Sequence, residues 1–164
     1  MSTDLQDYLA QALSQVTLAE ARLEVFAQKA RAQKQEAAAA LLAALAASQR
    51  VQARRLTMLL RGKVGDTQDN LEELRRELLP GLIQELAQAV DRADQDGQEV
   101  LGTALDQATR VDSGQAALVQ RLAAEGQAPE YYLCPVCGWL AAEEAPDKCP
   151  VCGALGSKFA PAPR

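Results

Sequence analysis

Tyr131-Tyr-Leu-Cys-Pro-Val-Cys-Gly-Trp139 and Lys148-Cys-Pro-Val-Cys-Gly153 decide how this chain is to be read. They contain all four of its cysteines. Cys134 and Cys137 form one Cys-x-x-Cys pair and Cys149 and Cys152 another, separated by the 11 residues Gly138 to Lys148, which is the spacing of two facing metal-binding knuckles. Four thiolates make a tetrahedral S4 site. Soft sulfur ligands favour zinc or iron over magnesium, calcium or manganese, and the spacing alone weighs zinc and iron equally. In each knuckle a proline (Pro135, Pro150) sets φ for the turn, and a glycine (Gly138, Gly153) takes φ > 0 without a Cβ penalty, so that successive amides point at sulfur. Disulfides are a third reading. The start Met1-Ser-Thr-Asp-Leu-Gln6 has no charged region followed by an apolar one, as an export signal would, and a cytoplasmic, reducing location is expected.

Outside this stretch the composition is that of a helical protein. Aromatics make up 4% of the 164 residues and histidine is absent. Four of the six aromatics, Tyr131, Tyr132, Trp139 and Phe159, lie in the last 34 residues, where a small module needs bulky side chains for any core. A net charge of −5 without a basic stripe argues against nucleic acid as a partner. The longest apolar run, Ala37 to Ala47, is too short to span a bilayer, so no membrane segment is expected.

Leu5, Leu9, Ala12, Val16, Ala19, Leu23, Phe26 and Ala30 recur in steps of three and four, predicting a first helix over 4–31. A second apolar series runs from Leu41 to Leu60 and stops at Arg61-Gly-Lys-Val-Gly65. The turn between them is placed near 32–35, although no Gly or Pro marks it and a single long helix would fit the local signals equally well. Asp66 or Thr67 caps a third helix running to Asp94, with a kink or break expected at Pro80-Gly81. A fourth begins after Gly97. The expected fold class is mainly α: an antiparallel four-helix bundle over 1–125, a linker over 126–130 and a small four-cysteine metal domain over 131–164. The mixed charges of Glu72 to Glu77 read as pairs along an exposed helix face, and Asp91, Asp94 and Asp96 as a solvated helix end rather than a calcium loop.

Tyr132-x-Cys-x-x-Cys-Gly-Trp, Ala145-Pro-Asp-Lys-Cys-Pro-x-Cys and Phe159 resemble the rubredoxin-type C-terminal domain of rubrerythrins. The resemblance covers about thirty residues and implies one iron in the four-cysteine site passing single electrons, with zinc as the alternative. It also implies a ferritin-like bundle ahead of that domain, in which the family holds two irons on carboxylates and Glu-x-x-His motifs. In the register suggested by Ala19-x-x-Arg22-x-x-x-Phe26-Ala27 and by Gln49-Arg-Val-Gln52-Ala53-x-x-Leu56, the di-iron positions are filled by Val16, Gln49, Gln52, Leu78, Gly81, Asp112 and Gln115. A one-turn slip would bring Glu20 to the ligand face. No imidazole exists to ligate iron, and neutral glutamines are poor substitutes for anionic ligands, so the di-iron centre reads as lost. The plain account of Gln49, Gln52 and Gln115 is that they are solvated or bonded to one another. The resulting expectation is a one-electron carrier and not an enzyme, a homodimer by resemblance, served by a redox partner protein. A peroxide reductase retaining iron in its bundle, and a structural zinc module, are the competing readings.

Overall fold

In the computed structural model residues 3–60 and 64–163 are described, and the chain forms two compact units, Met1–Asp66 and Thr67–Arg164. The first unit is a helical hairpin of α1 (Thr3–Ala32) and α2 (Glu36–Leu59). The turn falls where the sequence placed it, and its geometry explains why no glycine announced it. Lys34 takes the left-handed conformation, φ 57°. The Gln35 amide donates to Ala30 O at 2.9 Å and the Lys34 amide to Arg31 O at 2.9 Å, which together make a Schellman cap with lysine in the place glycine usually holds. The stop expected at Arg61-Gly62-Lys63 lies outside the described residues. Within them, α2 ends at Leu59 and Leu60 is already extended.

What this hairpin buries follows the expected stripe in part, Leu9, Val16, Ala19 and Leu23 being half-buried. Its buried residues are Ala27 and Ala30 on α1 and Ala39 and Ala46 on α2, whereas Leu5 and Phe26 are exposed. Small side chains let the two helix axes approach closely, and larger residues flanking the contact line are left half-buried or exposed. Arg50 ties the helices together from outside, donating to Glu20 Oε1 at 2.6 Å and to Glu24.

The second unit opens with one long helical stretch in three parts: α3 (Thr67–Glu73), a π-helical segment (Leu74–Leu78) and α4 (Leu79–Gln95). The irregularity expected at Pro80-Gly81 is present, but displaced one turn back and without a break. Pro80 has no N–H to close the preceding turn, and the chain widens instead, the Leu79 amide donating to Leu74 O across a five-residue step. Gly97, at φ 65°, then closes a second Schellman cap, with the Gln98 amide on Ala93 O at 2.8 Å. α5 (Glu99–Glu125) returns along α4, with Gly102 buried against Ala93. Glu72 pairs with Arg75 and Arg76 along the helix, as the charge pattern predicts. After Gly126 (φ 67°) come three short strands, β1 (Tyr131–Leu133), β2 (Leu140–Ala142) and β3 (Ala160–Pro161), in the antiparallel order β2-β1-β3. Four helices followed by a small four-cysteine domain is thus the fold class of the chain. Among the described residues no helix is long and apolar enough to cross a membrane.

The two caps differ in one residue that matters. A non-glycine residue held left-handed costs about 1 kcal/mol, so Lys34→Gly is expected to raise unfolding stability by up to about that amount in thermal or urea melts; an unchanged or lowered midpoint would contradict the cap.

Candidate metal centre

β1 delivers the chain to Cys134, and the first knuckle turns back into β2 through the pair Leu133–Leu140. The two knuckles are built by the same bonds. The Gly138 amide donates to Cys134 O at 3.0 Å and the Cys134 amide to Trp139 O at 2.9 Å; the Gly153 amide donates to Cys149 O at 2.9 Å and the Cys149 amide to Ala154 O at 2.7 Å. Gly138 (φ 85°) and Gly153 (φ 73°) take the left-handed conformation their place in the motif predicts. Each knuckle therefore presents two sulfurs on one side.

The four Sγ atoms lie within 4.8 Å of one another, with Cys134 and Cys152 3.7 Å apart and Cys137 and Cys149 3.5 Å apart. A tetrahedron with metal–sulfur bonds of about 2.3 Å has edges of roughly 3.8 Å, so the donor set fits one zinc or iron ion. All four cysteines are free, and their separations are far beyond a disulfide bond of about 2.05 Å. Cys134 and Cys149 are buried, Cys137 and Cys152 half-buried, giving the site a sealed side and an open edge.

Backbone amides supply the surrounding hydrogen bonds. Burial pushes the Cys137 thiol above the ordinary range, against the opposing effect of the Trp139 N–H on its sulfur. Burial acts in the same sense at Cys149, but the N–H groups of Cys152 and Val151 outweigh it and lower that thiol. Metal binding must displace the remaining protons.

Several residues that build this site gave no signal in the sequence. A Cβ on Gly156 would lie 2.0 Å from Pro146 O, so only glycine lets the Leu155–Lys158 segment close over the second knuckle. Trp139 packs edge-on to Phe159, centroids 6.3 Å apart, and its indole lies against Gly114 of α5, where an added Cβ would come within 3.1 Å of Nε1. Arg110 donates to Pro150 O at 2.6 Å, and Arg121 to Glu143 Oε1 at 2.6 Å. The metal module is seated on α5 by these contacts.

The expected di-iron positions are divided between the two units. Val16 and Gln49 are half-buried and Gln52 exposed in the first unit; in the second, Gly81, Asp112 and Gln115 are half-buried and Leu78 exposed. Burial raises the Asp112 carboxyl above the usual carboxylate range. Glu20 is engaged by Arg50. Among the described residues the four cysteines are the one group of three or more Cys, Asp or Glu side chains that converges as metal ligands could.

Because closure needs every thiolate, Cys149→Ser is expected to abolish stoichiometric metal binding and to melt the module while far-UV circular dichroism still shows the helices. Full metal content in that variant would contradict the S4 geometry.

Comparison with known proteins agrees with the site. Residues 132–160 match the family described as rubrerythrin, rubredoxin-like domain. No curated protein sequence matches the chain. Among solved structures, nigerythrin in its partially reduced and mixed-valence states, and in its fully reduced, all-ferrous state, matches at 23% identity with a TM-score of 0.52, over 96% of this chain and 86% of that one. Residues 132–160 are thus similar to the rubredoxin-like domain of rubrerythrins, and the chain shares the fold of nigerythrin.

Proposed function

We propose that the chain is a cytoplasmic one-electron transfer protein whose redox centre is a single iron held by four cysteine thiolates and whose helices serve as scaffold. The observation that carries this reading is the convergence of four free thiols in a segment similar to the rubrerythrin rubredoxin-like domain. Iron bound there supplies a one-electron Fe(III)/Fe(II) couple. The protein's own part is to hold four sulfurs on a fixed tetrahedron and to spread the thiolate charge over backbone amides, which set the potential. Cys137 and Cys152 on the open edge, with exposed Val136 and Leu155 nearby, give a redox partner protein a short approach to the centre. Free thiols suit a reducing compartment.

Loss of the di-iron centre belongs to the same proposal, supported by the absence of histidine and by the uncharged residues at Val16, Gln49, Gln52, Leu78, Gly81 and Gln115. A homodimer is proposed from the exposed apolar side chains of the first unit: Leu18, Val25, Leu41, Leu45, Met58 and Leu59. Such a density of large apolar groups at a surface marks an association face.

Metal analysis of protein purified from iron-replete cells is expected to give about one iron per chain, with peroxide reduction no faster than that of an isolated rubredoxin domain. About three irons per chain together with rapid multi-turnover peroxide reduction would replace the carrier by an enzyme, and stoichiometric zinc would replace it by a structural module. Light scattering is expected to show a dimer that Leu41→Glu with Leu45→Glu dissociates; a monomer at micromolar wild-type concentrations would contradict the association face.

A further inference from the structure

We infer that Arg110 of α5 sets the reduction potential of the four-cysteine centre through the Pro150–Val151 peptide, holding it higher than the knuckles alone would. The inference rests on the carrier reading and adds to it a residue outside the metal module.

Pro150 O and the Val151 N–H belong to one peptide unit. Its carbonyl accepts from Arg110 Nη2 at 2.6 Å, and its N–H is one of those that favour the thiolate of Cys149. A guanidinium on the carbonyl withdraws electron density along the amide, making the N–H a stronger donor, since hydrogen bonds in series polarise one another. The sulfur at the end of this relay becomes a weaker donor to the metal. When one electron enters, Fe(III) becomes Fe(II), no bond forms or breaks, and the site is one unit more negative. Both the strengthened N–H···S bond and the positive charge of Arg110 favour that reduced state.

The relay is unsymmetrical within the site. In the first knuckle the corresponding peptide is Pro135–Val136, and the described hydrogen bonds give its carbonyl no cationic side chain. Cys149 is also the buried sulfur that already receives two amides, from Val151 and Cys152. Arg110 can reach Pro150 because Trp139 seats the module on Gly114, one helical turn further along the same helix. Arg110 therefore works as a positioning residue, acting on the metal only through the peptide it bonds.

The test compares wild type, Arg110→Gln and Arg110→Lys, all iron-reconstituted, by spectroelectrochemical titration. Arg110→Gln keeps a donor of useful length and removes the charge; it is expected to lower the midpoint potential by an equilibrium factor of about two- to tenfold, tenfold being 59 mV for one electron. Arg110→Lys, which keeps the charge without the planar fork, is expected to fall between the other two. Trp139, the chain's single tryptophan, reports seating, and its emission is expected to be the same in all three proteins. A midpoint in Arg110→Gln within twofold of wild type would overturn the inference. So would a lysine variant as low as the glutamine one, or a lowered potential accompanied by a red shift of Trp139, which would give Arg110 a docking role alone. Metal content of the protein as purified tests the carrier reading separately, because the reconstituted series reports on Arg110 whichever metal the chain carried.

Discussion

Closure of four sulfurs around one point is the constraint on which the C-terminal module depends. The module has three strands of two or three residues each and few fully buried side chains, among them Cys134, Ala141 and Cys149. Apolar burial on that scale does not offset the ordering of some thirty residues. A metal held by the folded arrangement of thiolates and not by the unfolded chain would supply the remaining free energy. Gly138, Gly153 and Gly156 all follow from this requirement, two because the knuckle backbone must turn left-handed and the third because the Pro146 carbonyl occupies the space a side chain would need.

The helices are governed by a different constraint, close approach through small residues. Ala27, Ala30, Ala39 and Ala46 let α1 and α2 pack tightly, and Gly102 against Ala93 does the same for α4 and α5. Each contact buries little area per residue, so a hairpin made this way is short of hydrophobic stabilisation and leaves Leu5, Leu18, Leu41, Leu45 and Leu59 exposed. The homodimer proposed above would supply the missing burial. The surface pairs, Arg50 with Glu20 and Glu24 among them, lie largely in solvent and fix register more than they add stability.

Much of this was legible in the sequence, for reasons that differ from residue to residue. The Cys-x-x-Cys pairs are a local signal of a local requirement, and so are the left-handed glycines beside them; the helix limits followed from periodicity and from Gly97 and Gly126. The turn at Lys34 had no local signal of its own, one long helix fitting the sequence equally well, since a lysine can be forced left-handed when the Schellman bonds outweigh its cost. The widening at Leu74–Leu78 was hidden because proline forbids one hydrogen bond without saying how the helix will absorb the loss. Gly114, Gly156 and Arg110 were missed for a single reason: what each residue meets is Trp139, Pro146 or Pro150, and nothing near it in the sequence records that encounter. Of the α1 stripe assigned by pattern, Ala30 is fully buried and Leu9, Val16 and Leu23 are half-buried, while Leu5 and Phe26 are exposed.

The central claim is that this chain holds one redox centre, confined to the cysteine cage. Coulometric titration of the protein as isolated, counting electrons taken up per chain and following the visible absorption of ferric thiolate, tests it most directly. The account predicts about one electron per chain, with the absorption bleached in proportion throughout. Continued uptake of electrons after the ferric thiolate colour is gone would place further redox metal in the helices and contradict it.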